Sequence, residues 1–382
     1  MKKIVFLSAM GLDVNVSIIK RLRKVYEVYY ILLMSDGKYC IGDVSLTKDV
    51  TKASDVNTFQ VISDFINLNK TYIIKQYRGS FSHKMKQEFK VLNLIKSLSP
   101  DYILTDASQL CYILVRFFNR NRIISIVHDP FPHSGEKSLF RKIADTLLVR
   151  LSVRQIIFNE KQRVDFINYY KLKEYNVFNS FLSINEIIPL FKKNVKIQQH
   201  NNTLRVLFWG RISPYKGVYY LLEAAREYFN KIGDDLELKI AGKGNFNFDI
   251  TQYKSYSQIS IDNTYIDTEK LASYLMNCDV VVCPYTDATQ SGVIMMAFAL
   301  HKPVLATAVG GLPEMLEFGK LGMLIQPKSV DAIYNAFVYL MAHPEVLSNY
   351  SDEINKLYSE GSPKSWEMAV VPFIKAIQSL ER

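Results

Sequence analysis

Leu204-Arg-Val-Leu-Phe-Trp-Gly-Arg-Ile-Ser-Pro-Tyr-Lys-Gly217 reads as a strand that runs into a loop bracketed by glycines. Its first half is apolar and β-rich, the loop carries Gly210, Pro214 and Gly217, and residues 218–232 then repeat apolar side chains at helical spacing. Strand, loop and helix in that order build a parallel α/β sheet, and open sheets of this kind bind ligands beyond the carboxyl ends of their strands. A glycine lets the backbone approach an anion, and the helix start supplies oriented N–H groups. Arg211 and Lys216 can neutralise a diphosphate that gains charge as a leaving group. Arg211 and Lys216 are therefore candidate catalytic residues, with Gly210 beside them.

The same alternation extends outward in both directions. Strand patterns fall at 4–8, 28–33, 72–75, 101–105, 123–128, 155–158 and 175–179, with helical patterns at 83–97 and 136–151. After 204–210 come a helix at 218–232, a strand at 236–241, a helix at 269–277, a strand at 279–284, a helix at 293–300, strands at 303–309 and 323–326, and a helix at 330–341. Two sheets are implied, and 382 residues are enough for two cores. A polar run at 192–203 without apolar periodicity predicts the hinge between them. Expected domains are residues 1–195 and 204–362. Met1-Lys2-Lys3 before an apolar run mimics a leader peptide, but the run is short and no small-residue cleavage site follows, so a buried first strand is expected.

Composition narrows the partners. With 48% apolar and 22% charged residues the chain is globular, and no run of about 18 uncharged apolar residues is available to cross a bilayer. Cys40, Cys111, Cys278 and Cys283 lack metal spacing, which suits a reducing cytoplasm. Residues 1–200 hold 31 Lys and Arg against 17 Asp and Glu, while the remainder hold 16 against 20. The basic half suggests an anionic partner, either a phosphorylated acceptor or an anionic membrane surface. Nucleic acid is not expected, because no basic stripe interleaves with stacking aromatics.

Further chemistry gathers at strand ends. Ala241-Gly242-Lys243-Gly244 is a second glycine turn, ordinary by itself. Thr289, Gln290 and Ser291 form a polar cap before a helix, so their side chains and the N–H groups of Gly292 and Val293 are candidate ligands for sugar hydroxyls or phosphate oxygens. His128-Asp129-Pro-Phe-Pro-His133 follows a first-half strand and permits three readings: a cleft histidine, a buried structural one, or a metal pair with Asp129. Metal is the weakest, since no third ligand is evident nearby. His133 is also a candidate for acceptor phosphate.

These features resemble the donor domain of the retaining GT-B glycosyltransferases of family 4. The resemblance covers residues 204–341: the Gly210-Arg211 to Lys216-Gly217 loop, the Ala241-Gly242-Lys243-Gly244 strand end, and Lys302-Pro303-Val304 with Gly310-Gly311 and Glu314. In the first half it rests on topology, on Gly11 after the first strand, and on Val127-His128-Asp129-Pro130. It implies an α/β fold of two Rossmann-like domains facing each other across a cleft, an N-terminal one for the acceptor and a C-terminal one for a nucleotide sugar. It further implies that Arg211 and Lys216 contact the donor diphosphate, that Tyr265, Ile266 and Glu269 border the base, and that His128 lies beside the transferred sugar. Gly11, Asp129 and His133 would then serve the acceptor, and the last helix, about 365–382, would cross back onto the first domain.

One departure matters. Most of that family carries two glutamates seven residues apart, and the corresponding positions here are Ala288 and Met296. A subgroup with Ala-Thr-Gln-Ser-Gly-Val at this point is the closer match, in which the polar triplet and backbone amides substitute for the first glutamate. The expectation is a retaining transferase acting on a saccharide or lipid-linked acceptor in bacterial surface polysaccharide synthesis, cytoplasmic or peripheral on the inner membrane face. Neither cofactor nor metal is expected, because the two cations take the diphosphate charge. A sugar-nucleotide epimerase of the same architecture and a non-catalytic transferase-like binding protein are the alternatives.

Overall fold

A computed structural model describes residues 1–9, 11–76, 81–106, 112–128, 131, 146–158, 160, 162–198, 202–288 and 290–381. The chain forms two compact units: Met1–Ser183 together with Pro363–Arg382, and Ile184–Ser362.

The first unit is built on one sheet, ordered Val177–Asn179, Arg154–Ile157, Ile123–Val127, Tyr102–Thr105, Lys3–Ser8, Glu27–Met34, Thr71–Lys75 and Val50–Lys52. All neighbours run parallel except the last pair. Ile4, Val5 and Phe6 are fully buried, so the amino-terminal strand is a central one paired on both sides. It is apolar on both faces because helices cover both faces of a parallel sheet. The expected helix at 136–151 falls largely outside the described residues.

Helix Trp366–Gln378 belongs to this unit. Its stripe of Trp366, Ala369, Val370, Phe373 and Ile377 is buried, as helical periodicity requires of a helix with one core face. Glu367 pairs with Arg21 at 2.8 Å, and the Ser180 and Ser183 hydroxyls donate to the carbonyls of Ala369 and Lys364. The tail is thus tied both to helix Leu12–Leu22 and to the segment where the chain leaves the unit.

The second unit carries six parallel strands in the order Ile259–Asp262, Leu236–Ala241, Leu204–Trp209, Val280–Cys283, Val304–Thr307 and Gly322–Ile325. By order along the chain this is 3-2-1-4-5-6, the doubly wound arrangement whose winding direction reverses between its first and fourth strands. A crevice opens at such a reversal, because the loops after the two strands depart to opposite sides. Here those loops are the one after Trp209 and the one after Cys283.

The expected hinge needs correction. The division lies at Ser183 and Ile184, before the polar run. Ile188 is 1% exposed within the second unit's core, and the Asn277 side chain accepts from the Gln198 N–H and donates to the Lys196 carbonyl. Residues 196–198 are therefore fastened to the second unit. A polar run looks like a linker in sequence, but its backbone groups have been paired by one distant asparagine.

Candidate functional site

The site in the second unit begins with two glycines that let two loops lie against each other. A Cβ on Gly242 would sit 2.0 Å from the Gly210 carbonyl oxygen, and one on Gly244 would sit 2.0 Å from that of Ile212. The loop after strand Leu204–Trp209 is thereby pressed along the loop after strand Leu236–Ala241. Residues Pro214–Lys216 form a single tight turn ending at Gly217, whose left-handed backbone (φ 68°) starts helix Val218–Lys231.

That turn delivers Lys216 to the reversal point. Its ammonium lies 3.6 Å from the ring centroid of Tyr285, which follows strand Val280–Cys283, and 5.2 Å from the ring of Tyr215. Tyr285 is fully buried, so its face is a fixed, water-free seat for the cation. Burial lowers the Lys216 pKa from its ordinary 10.5; Tyr215 opposes this, while the Arg211 guanidinium adds to it by repulsion. The two cations singled out in the sequence are therefore brought into electrostatic range of each other. Arg211 itself is exposed. Two like charges held close, one of them largely desolvated, are a standing destabilisation that an anion bound between them would relieve.

The start of helix Gly292–Phe298 borders this loop. A Cβ on Gly210 would come 3.6 Å from a Val293 methyl, and the N–H groups of Gly292 and Val293 take no protein acceptor among the described residues. The expected polar cap is different in detail. Ser291 occupies the cap position without a capping bond; it is 4% exposed, and its hydroxyl lies 3.3 Å from the Tyr285 hydroxyl. A buried phenol needs a partner, and Ser291 supplies it. Gln290 is half-buried, and Thr289 lies outside the described residues.

Tyr265 is 51% exposed, Ile266 is buried, and Asp267 caps helix Thr268–Met276 by accepting the Lys270 N–H at 2.8 Å. Glu269 is exposed in the first turn of that helix.

The first unit holds a polar cluster that sequence reading missed. Strands Lys3–Ser8 and Tyr102–Thr105 are neighbours there, and winding reverses between them too. Asp106, 7% exposed, accepts from the Asn15 amide at 2.6 Å, the Ser8 hydroxyl at 3.0 Å and the Ala9 N–H at 3.3 Å. Gly11 adjoins it: its left-handed backbone (φ 65°) opens helix Leu12–Leu22, and a Cβ there would meet Asp106 at 3.7 Å. Burial pushes the Asp106 carboxyl above its usual value, and Asn15, the charge of His128 and Ser8 draw it back. His128 thus shares this edge with Gly11, and its ring packs 5.1 Å from that of Phe158. Asp129 and His133 lie outside the described residues. Among the described residues no group of three His, Cys, Asp or Glu is placed to hold a metal ion, and no helix is long and apolar enough to cross a membrane.

Residues 203–343 match the family described as glycosyl transferases group 1. The D-inositol 3-phosphate glycosyltransferase of Pseudarthrobacter chlorophenolicus is 25% identical over 215 residues, 53% of this chain and 51% of that protein. The chain spans about half the length of this and other curated relatives it matches. Over nearly all of both chains the fold matches Anabaena HepE, solved with UDP (TM-score 0.68, 15% identity, covering 99% of this chain and 100% of that one). It also matches a UDP-GlcNAc 2-epimerase from Neisseria meningitidis (TM-score 0.61, 12% identity, covering 99% and 100%). The fold is GT-B, two Rossmann-like domains. Because a transferase and an epimerase share it, the fold alone does not select the reaction.

Proposed function

We propose that the chain is a glycosyltransferase that moves a sugar from a nucleoside diphosphate sugar to a saccharide or lipid-linked acceptor with retention of configuration. The carrying observation is the Arg211 and Lys216 pair at the reversal point of the second unit. The name of the matching family and the UDP in a neighbour of the same fold support the choice of a nucleotide donor. In this reading the bond between the anomeric carbon and the diphosphate oxygen breaks while the acceptor hydroxyl oxygen bonds to that carbon on the same face. The acceptor proton passes to the departing diphosphate. Arg211 and Lys216 stabilise the charge growing on that leaving group, which is where preorganised cations lower a barrier most. The Gly11 loop would receive the acceptor in the first unit, with His128 as a catalytic residue beside the transferred sugar. The basic first half favours a phosphorylated or membrane-borne acceptor, in keeping with surface polysaccharide synthesis at the inner membrane face.

The test is incubation with UDP-, GDP- and dTDP-sugars, with and without saccharide acceptors, while nucleoside diphosphate release is measured. Acceptor-dependent release is expected. Interconversion of the sugar nucleotide without release would favour the epimerase, and neither outcome would favour a binding protein.

Affinity for UDP should also depend on pH through Lys216. A lowered pKa means that the folded protein loses this proton below 10.5, whereas a bound diphosphate favours the ammonium. UDP binding should therefore be full near neutrality and weaken as pH rises through the lowered value. Lys216→Arg should retain it, because a guanidinium stays charged. Calorimetric titration from neutrality to just above pH 10.5 checks this, and a profile that is the same in the unaltered protein and in Lys216→Arg would count against the assignment.

A further inference from the structure

The second unit has a cavity of about 570 Å³ walled by aromatic rings, and neither Arg211 nor Lys216 lines it. Tyr219, in the first turn of helix Val218–Lys231, meets Phe248 edge-on at 5.3 Å, and Phe248 meets Phe246 at 5.6 Å. These rings are not sealed in a core: Tyr219 is 43% exposed and Tyr215 38%. Between the phenylalanines the run Asn245-Phe246-Asn247-Phe248 alternates amide and ring, and both asparagines are exposed and line the cavity. Among the described residues neither amide side chain has a protein partner. No carboxylate lines the space, and Lys328 is its single cation.

We infer that this pocket is a saccharide subsite that seats a pyranose ring. A pyranose has flat C–H faces and an edge of hydroxyls that both donate and accept. Aromatic faces suit the former, and primary amides, with two donors and two lone pairs, suit the latter. A purely apolar ligand would strip water from Asn245 and Asn247 and return nothing. A phosphate or diphosphate calls for more than one cation or a bidentate arginine, which this lining lacks. The subsite stands apart from the proposed transfer reaction and does not depend on it.

Saturation-transfer difference NMR on the full chain without nucleotide provides the test, using methyl α-glucoside, methyl α-mannoside, N-acetylglucosamine and maltose, with uridine as a separate probe. Saturation should reach the C–H protons of at least one saccharide. Tyr219→Ala, and the surface double substitution Asn245→Ala with Asn247→Ala, should each weaken that binding about tenfold. The UDP-induced thermal shift should be unchanged in both variants, which separates this subsite from the diphosphate site. Absence of saturation for every saccharide would overturn the inference. So would saturation undiminished in both variants, or uridine binding that both variants abolish while saccharides do not bind. Should Tyr219→Ala fail to fold, the double asparagine variant, altered only at exposed positions, decides.

Discussion

Lys216→Met should lower turnover by about 10²- to 10³-fold, the usual consequence of deleting one preorganised group that stabilises transition-state charge. The same substitution should leave the unliganded protein at least as resistant to urea as before. Burial is the largest influence on the Lys216 ammonium and disfavours its charge, and Arg211 repels it. A thioether of similar length removes both penalties and keeps contact with the face of Tyr285, although it gives up the cation–π attraction. Lost activity with retained stability is what a binding cation requires. A purely structural lysine would give the reverse, lost stability with turnover reduced only in proportion. Steady-state release of nucleoside diphosphate and urea unfolding of the same preparation give the two readings, and unchanged turnover would end the assignment.

The parts of this fold legible in the sequence are those where one chemical period dominates. An apolar run such as Val28 to Leu33 is a strand because both faces of a parallel sheet are covered, and Gly242 and Gly244 after strand Leu236–Ala241 mark close backbone approaches. Strand Ile259–Asp262 was not legible: it lies at the sheet's edge, and none of its residues is fully buried. Of the site, Arg211 and Lys216 were visible because cations in a glycine loop are conspicuous. Tyr285 was not, since a tyrosine after a strand is ordinary until a distant lysine is found on its face. The Asp106 cluster was hidden for a similar reason. Its partners Ser8 and Asn15 lie more than ninety residues away, and only the pairing of two strands brings them together. Ser291 occupies the cap position that sequence suggests but makes no capping bond, because its hydroxyl lies against a buried phenol that sequence cannot locate.

Gly217→Ala should be the most disruptive single-methyl change in the second unit. Gly217 has φ 68°, a left-handed conformation that costs an L-residue roughly 1–2 kcal/mol. Space adds a larger obstacle, because the new Cβ would lie 1.8 Å from the carbonyl oxygen of Pro284. A backbone oxygen cannot rotate aside as a side chain can, so the loop must lift from the strand end. That movement would also break the bond from the Thr286 N–H to the Tyr215 carbonyl, 2.8 Å long, for about another 1 kcal/mol, and carry Lys216 off the Tyr285 ring. The expected result is a loss of roughly 2–3 kcal/mol from this unit, the sum of strain and the lost bond, together with loss of measurable UDP binding. Gly361→Ala isolates the strain from the crowding: its backbone is also left-handed, at φ 79°, but nothing lies within 4 Å of the added methyl. It should carry the strain alone and leave UDP affinity intact. Equal losses of stability in the two variants, with UDP binding preserved in both, would mean that close apposition of this loop to Pro284 does not set the position of Lys216.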